Sequence, residues 1–207
     1  MFLDIVFPHR RIVAELMAME PEEFSARAAR AEGRAGRNII SLFDYRDPRV
    51  RAAIWELKYR GNRRIAAILG AALCEEIHSF LLEYAPLQNF ASPLLIPLPL
   101  SARRERERGF NQCDLLLAAI VEADGGINFT PSKALRKVQD TPSQTKAQSR
   151  AARLMNLSGC FVADSAVNGR NVILIDDVST TGATLDEARR ALKSAGARKV
   201  LAFTVAH

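Results

Sequence analysis

The chain has 207 residues, the size of one ordinary domain with at most a small appended segment, and long enough to bury a full core without disulfides or structural metal. With 48% apolar and 25% charged residues its composition is that of a folded globular protein, which excludes a disordered or fibrous chain. Lys and Arg outnumber Asp and Glu by 29 to 23, a net charge of +6, which favours anionic partners and equally suits a basic protein that has none.

Residues 10 to 35 read as a helical stretch rich in Ala, Glu and Arg, broken near Pro21, with a charged second half from Phe24 to Arg34 that reads as a hood rather than as core. Asn38–Tyr45 predicts a strand closed by the Asp47-Pro48 turn. Val50, Ala53, Ile54 and Leu57 recur at a helical period, and Gly61-Asn62 ends that helix. A second helix is expected from Arg63 to about Tyr84 on the stripe Ile65, Ile68, Leu69, Leu73, Ile77, Phe80 and Leu81. Leu94-Leu95-Ile96 has the length of a buried parallel strand and stops at Pro97-Leu98-Pro99. Ser101–Arg108 reads as a charged connector into a helix over 111–122.

After Asp124-Gly125-Gly126 the chain turns polar, and Lys137–Arg153 predicts a flexible loop or hairpin. A strand at 172–175, a helix at 185–195 and a strand at 199–205 form a closing β-α-β unit. Strands alternating with helices imply an α/β fold with a mainly parallel central sheet flanked by helices. Residues 1–45 form the expected N-terminal helical or hood segment, and 46–207 the α/β domain.

Cys74, Cys113 and Cys160 are odd in number and widely spaced. Without a C-x-x-C pair they encode neither a zinc ribbon nor a redox couple, and each reads as a small buried thiol in a reducing compartment. The opening MFLDIVFPHRR carries its basic residues after the apolar stretch, the reverse of a secretory signal. No apolar run approaches the roughly 18 residues of a membrane span. A cytoplasmic protein without a membrane partner is expected.

The chemistry concentrates in Val172–Thr184, VILIDDVSTTGAT. Four apolar residues make a central strand, and it runs directly into Asp176-Asp177. Adjacent carboxylates repel and are costly beside a core unless they emerge at the carboxyl end of the strand, where open α/β sheets bind ligands. Neighbouring residues of an extended chain point to opposite sides, so one carboxylate faces a ligand while the other reaches sideways. Ser179-Thr180-Thr181-Gly182-Ala183-Thr184 supplies small side chains and one glycine, which let backbone N–H groups turn inward ahead of a helix N-terminus. Thr184 and Glu187 have the spacing of a capping box. Together these features describe a cradle for a phosphate monoester. Neither G-x-x-x-x-G-K-[ST] nor G-x-G-x-x-G occurs, so nucleoside-triphosphate and dinucleotide loops are excluded.

This run resembles the signature of type I phosphoribosyltransferases, enzymes that use phosphoribosyl diphosphate (PRPP). The resemblance implies that Asp176 and Asp177 hold the ribose hydroxyls in the catalytic centre. It gives the 5′-phosphate to Thr180, Thr181, Gly182, Ala183 and Thr184. A second set of residues is similar to the competence protein F (ComF) group: Lys58-Tyr59-Arg60-Gly61, Pro97-Leu98-Pro99, and Arg108-Gly109-Phe110-Asn111-Gln112. Leu135, Arg136, Gln139, Thr141, Gln144, Arg150, Asn156 and Phe161 continue the pattern downstream.

By this resemblance the fold is that of a type I phosphoribosyltransferase. Leu98, Pro99, Arg103 and Arg108 become pyrophosphate-binding candidates, and Lys146 and Arg150 lie in a hood loop that closes over PRPP. Asn111 is equally suited to cap the helix that follows it. Mg2+ is expected to arrive with PRPP near Asp176 and Asp177 rather than on dedicated protein ligands. ComF-like proteins commonly carry an N-terminal zinc ribbon; here a helical segment over about residues 9 to 36 stands in its place.

Three functions follow. The first is an enzyme, a pentosyl transferase moving ribose 5-phosphate from PRPP, or a related ligand, to a nitrogen acceptor. The second is a non-catalytic PRPP- or nucleotide-binding accessory of DNA uptake with a partner protein. The third, a sequence-independent nucleic-acid binder, has only the net charge behind it: no helix-turn-helix, zinc finger or aromatic stacking run is present.

Overall fold

A computed structural model describes residues 10–31, 38–83, 86, 89–139 and 159–207. Five parallel strands form the central sheet in the order β1-β7-β6-β2-β3: β1 is Ile39–Phe43, β2 Leu94–Pro97, β3 Thr130–Pro131, β6 Asn171–Val178 and β7 Lys199–Ala206. A second, two-stranded antiparallel sheet pairs β4 (Leu135–Lys137) with β5 (Phe161–Ala163). The α/β architecture with a mainly parallel central sheet flanked by helices, inferred from alternating elements, is the one observed.

The strands work because both faces of the sheet are covered. On β6, Ile173 and Ile175 join one core with Leu95, Phe203 and Val205, while Val172 and Leu174 join the other. The first core is closed by α3 (Pro48–Arg60), α4 (Arg63–Glu83) and α6 (Gln112–Asp124); the second is closed by α7 (Ala183–Ser194) and the β4–β5 hairpin. Asp47 caps α3 by accepting the Arg49 N–H at 2.7 Å, and Gly61 ends it in the left-handed region at φ 58°.

The helical stretch at the start divides into α1 (Arg10–Ala18) and α2 (Pro21–Arg27), with the break just before Pro21 as the proline requires. The expected helix through Arg34 stops earlier. Ala29 and Ala31 instead bond strand β1 (Asp44 N–H to Ala29 O, 2.8 Å; Ala31 N–H to Leu42 O, 3.0 Å). Leu16 and Phe24 are fully buried in the first core, Phe24 packed edge-on against Phe43 at 5.3 Å. Strand β1, also within residues 1–45, is an edge of the main sheet.

Two further readings change. Ser101–Arg108 contains a helix, α5 (Ala102–Arg108), capped by Ser101 and ended by Gly109; no apolar stripe announces it, because none of its residues is buried. Helix α4 does reach the length and mean hydropathy of a membrane span. Its apolar residues, from Ile65 to Phe80, are packed into the core against α6, which is why so apolar a helix belongs inside this fold.

Candidate functional site

Because all five strands run the same way, their carboxyl ends share one edge. Leu94–Pro97 pairs in register with Val172–Ile175, and Leu98 N–H continues the ladder to Ile175 O at 2.8 Å. The Pro97-Leu98-Pro99 turn therefore lies beside Asp176-Asp177. Asn111 caps α6 through the Cys113 N–H (3.0 Å) and also donates to Leu98 O (3.1 Å), fixing that turn to the helix.

The strand alternation carries straight into the acid pair. Asp177 follows Ile173 and Ile175 toward α3, where its Oδ1 meets the Lys58 ammonium at 3.1 Å. Its Oδ2 is buried with no partner. Asp176 follows Val172 and Leu174 to the other face and accepts two hydrogen bonds on Oδ1, from the Asp177 N–H (2.8 Å) and the Cys113 thiol (3.5 Å). Asp176 and Asp177 are only 8% and 3% exposed. Burial first, and the Asp177 charge second, push the Asp176 carboxyl up to about 7. Burial opposes the Lys58 ammonium, but Asp177 and Asp176 together outweigh it and raise its pKa. Burial and the same two carboxylates hold the Cys113 thiol well above its usual range, so it remains an S–H donor.

Asp176 and residues 178–185 line a small cup of about 60 Å³, which brings Thr180, Thr181, Gly182, Ala183 and Thr184 together around one concavity. The Ser179 hydroxyl is buried there without a partner. The loop is pinned at its start: Ser179 N–H donates to Ala206 O (2.9 Å), and Ser179 O lies 2.8 Å from His207 Nδ1. The capping box expected of Thr184 and Glu187 is not formed. Gly182 is the N-cap of α7, with no side-chain cap, and Thr184 lies inside the first turn. Glu187 instead accepts the Gly159 N–H (2.6 Å) and pairs with Arg190, tying the foot of the β4–β5 hairpin to the helix. Ala183 N–H makes only a long 3.5 Å bond to Thr181 Oγ1, so the N-terminus of α7 borders the cup with little capping.

Gly182 is required twice over. Its φ is +75°, and a Cβ there would stand 2.9 Å from Ile39 Cδ1. Gly182→Ala should cost about 1–3 kcal/mol in urea unfolding. Adding Ile39→Val should return only the part due to contact, leaving the backbone part.

The remaining candidates separate. Leu98 does not offer its N–H, which is spent on Ile175, and Pro99 has none; the turn's donors must come from the residues after it. Arg103 is exposed and pairs with Glu107 one helical turn on (2.8 Å). Arg108 bonds Gln112 Oε1 (2.8 Å) and lies over the Tyr59 ring (5.5 Å), so it touches the neighbours of both Cys113 and Lys58. Phe110 packs where a Cβ on Gly61 would stand, at 3.1 Å. The Lys58–Gly61 and Arg108–Gln112 segments are thus one packed unit behind the acid pair. Lys146 and Arg150 lie outside the described residues. A cavity of about 390 Å³, lined by Pro97, Pro99, Asn111, Leu135, Arg136 and Lys137 among others, opens between the turn and the hairpin. Sequence reasoning missed the parts played by Lys58 and Cys113; Lys58 lay within a quoted motif, and Cys113 carried no local signal.

The profile of the phosphoribosyl transferase domain family matches residues 130–207. The DNA utilization protein YhgH of Salmonella typhi is 30% identical over 165 residues, 78% of this chain and 68% of that protein. The chain belongs to the ComF-like family of type I phosphoribosyltransferases. Competence protein ComFC of Bacillus subtilis (strain 168) is 33% identical to this ComF-like chain over 168 residues, covering 80% of it and 62% of the relative. Among solved structures, the glutamine PRPP amidotransferase from B. subtilis superposes with a TM-score of 0.45 at 18% identity, over 73% of this chain and 30% of that one.

Proposed function

We propose that this ComF-like protein binds PRPP, or a related ribose 5-phosphate ligand, together with Mg2+, and transfers ribose 5-phosphate to a nitrogen acceptor with release of pyrophosphate. The observation that carries the reading is the buried acid pair standing beside a hydroxyl-lined cup at the carboxyl end of the central strand. Thr180, Thr181, Gly182, Ala183 and Thr184 take the 5′-phosphate, aided by the open N-terminus of α7. Asp176 faces the ribose from the cup side. Asp177, whose Oδ1 is engaged by Lys58, presents its unpartnered Oδ2.

Transfer leaves positive charge on the ribose ring as pyrophosphate departs, and carboxylates held in a buried site stabilise that charge without reorganising. The Pro97–Pro99 turn and Arg108 supply the diphosphate side, a guanidinium fork being well shaped for phosphate oxygens; Arg103 is the weaker member of that set. Lys146 and Arg150, outside the described residues, are assigned to bring positive charge to the diphosphate. The oxygen donors Asp176, Asp177 and Ser179 suit a hard cation, and Mg2+ supplies charge neutralisation on the diphosphate when it is bound. The three buried thiols fit a cytoplasmic setting.

A second reading has its own support. Relatives sharing most of this chain are named for competence and DNA utilization, which fits a PRPP- or nucleotide-binding accessory that works with a DNA-uptake partner and performs no transfer. Calorimetric titration of PRPP with Mg2+, followed by pyrophosphate release across candidate bases, separates the two. Saturable binding lost in Asp176→Asn/Asp177→Asn is expected. Turnover with any base selects the transferase, and binding without turnover selects the accessory. No binding of PRPP or any ribose 5-phosphate ligand by the unaltered chain defeats both. DNA affinity with a steep salt slope that survives the aspartate changes would instead favour a nucleic-acid binder.

A further inference from the structure

At the opposite end of α6 from Asn111 and Cys113, which border the acid pair, three side chains with metal-ligand chemistry converge. Cys74 and His78 are one helical turn apart on α4 and project from the same face, and Asp124 comes from the last turn of α6. Cys74 Sγ lies 3.8 Å from His78 Nε2, His78 Nε2 lies 2.8 Å from Asp124 Oδ1, and all three ligand atoms fall within 4.8 Å of one another. The Asp124 side chain is fully buried, Cys74 is 4% exposed, and the His78 side chain is 35% exposed. The group therefore has a dry base and one open approach. That approach is a cavity of about 380 Å³ between α2, α4 and α6, lined by Cys74, His78, Glu22, Glu75 and Ser79 among others.

We propose that Cys74, His78 and Asp124 form a Zn2+ site that fastens α4 to α6. A mixed sulfur, nitrogen and oxygen set is the donor chemistry of zinc rather than of Mg2+ or Ca2+. With Zn–S near 2.3 Å and Zn–N and Zn–O near 2.0–2.1 Å, a tetrahedral site has ligand-to-ligand edges of about 3.3–3.6 Å. The sulfur–nitrogen edge is already close to that. The nitrogen–oxygen edge opens by about half an ångström, and the sulfur–oxygen edge closes by at most about 1.2 Å. Three protein ligands leave a fourth position, which falls to solvent on the cavity side.

The surroundings orient the carboxylate as outer-shell groups orient a ligand. Asn128 Nδ2 donates to Asp124 Oδ1 at 2.8 Å, and the N–H groups of Asn128 and Phe129 donate to Oδ2 at 2.8 and 3.3 Å. Burial works against its charge, but these bonds and His78 hold the Asp124 carboxyl below its usual range, so it stands ready as an anion. The His78 ring is stacked on Phe129 at 5.3 Å, which limits its rotation. Cys74 keeps its proton in the free protein; burial and then Asp124 push its thiol up to about 11. Loading the site therefore releases the S–H proton to solvent as the Zn–S bond forms, and the His78 ring gives up the proton on Nε2 that now bonds Asp124 Oδ1 and carries it on Nδ1 instead, freeing the Nε2 lone pair for the metal.

The test uses the full chain under thiol-protecting conditions. Equilibrium dialysis against Zn2+ should give one ion per chain and a higher melting temperature. Co2+ in its place should show sulfur-to-metal charge-transfer absorption. Cys74→Ser should abolish that absorption, and Cys74→Ser and His78→Gln should each weaken Zn2+ at least about tenfold, since even outer-shell changes cost roughly 10–100-fold. Asp176→Asn/Asp177→Asn, which alters the other site, should retain the ion and so separates the two. No stoichiometric Zn2+ uptake by the unaltered chain, or Co2+–thiolate absorption surviving Cys74→Ser, overturns the proposal and leaves Asp124 as a cap for the loop after α6.

Discussion

Lys58→Met is expected to destabilise the folded chain by roughly 3 kcal/mol, the lower end of the range for breaking a buried ion pair by removing one partner. The lower end applies because the Lys58 side chain is 23% exposed while that of Asp177 is 4% exposed, so water reaches only one side of the pair. Most of the cost lies in Asp177. With Lys58 gone, its carboxylate has no counter-charge on the α3 side, and Oδ2 has no partner to begin with. The double variant Lys58→Met/Asp177→Asn should therefore recover most of the loss, giving a coupling term well outside the few tenths of additive behaviour. Urea unfolding of the two single variants and the double variant measures it. If Lys58→Met costs no more than a surface substitution, about 0.5 kcal/mol, the ion pair does not hold the acid pair in place.

That pair also marks the boundary of what could be read from sequence. Val172–Ile175 was legible as a central strand because it is apolar on both faces, and the acids that follow could only emerge at its end. The alternation rule then assigned Asp176 and Asp177 to opposite sides, which is how they lie. What each side chain meets was not legible, because Lys58 and Cys113 reach the acids from helices far away in the chain; the motif around Lys58 does not say which carboxylate it meets, and Cys113 carries no local signal at all. Helix α5 was missed for the opposite reason. ARRERER has no apolar period, and its helix rests on the Ser101 cap, the Gly109 stop and a surface Arg103–Glu107 pair. At Thr184 the local signal was present and misleading. A capping box needs the chain to enter the helix through an extended residue, whereas here it turns out of β6 through a left-handed glycine that only Gly182 can supply.

Asp176→Asn should raise stability at pH 8 by on the order of 2–4 kcal/mol, the difference implied by about three pKa units at 1.36 kcal/mol each, less the hydrogen bonds the amide makes poorly. The folded-state value of about 7 lies above the ordinary carboxyl value of 3.8. Between those limits the folded chain binds a proton that the unfolded chain has lost. Stability from this group is therefore complete below about pH 4, declines as pH rises toward 7, and stays low above it. Asp176→Asn should flatten that decline in thermal melts taken from pH 5 to 8.

Ligand affinity should move the other way. A ribose 5-phosphate ligand with Mg2+ calls for the ionised carboxylate, so PRPP binding should weaken below pH 7 by up to about tenfold per unit. A cation placed near Asp176 would offset the repulsion from Asp177 that keeps the proton on, and uptake of Mg-PRPP at pH 6.5 should release protons measurable in buffers of different ionisation enthalpy. The fold is then most stable when the site is protonated and silent, and the carboxylate that binds is the one that costs stability. Equal PRPP affinity at pH 6 and pH 8, with no proton release, would mean that Asp176 keeps its proton in the complex and that Asp177 alone meets the ribose.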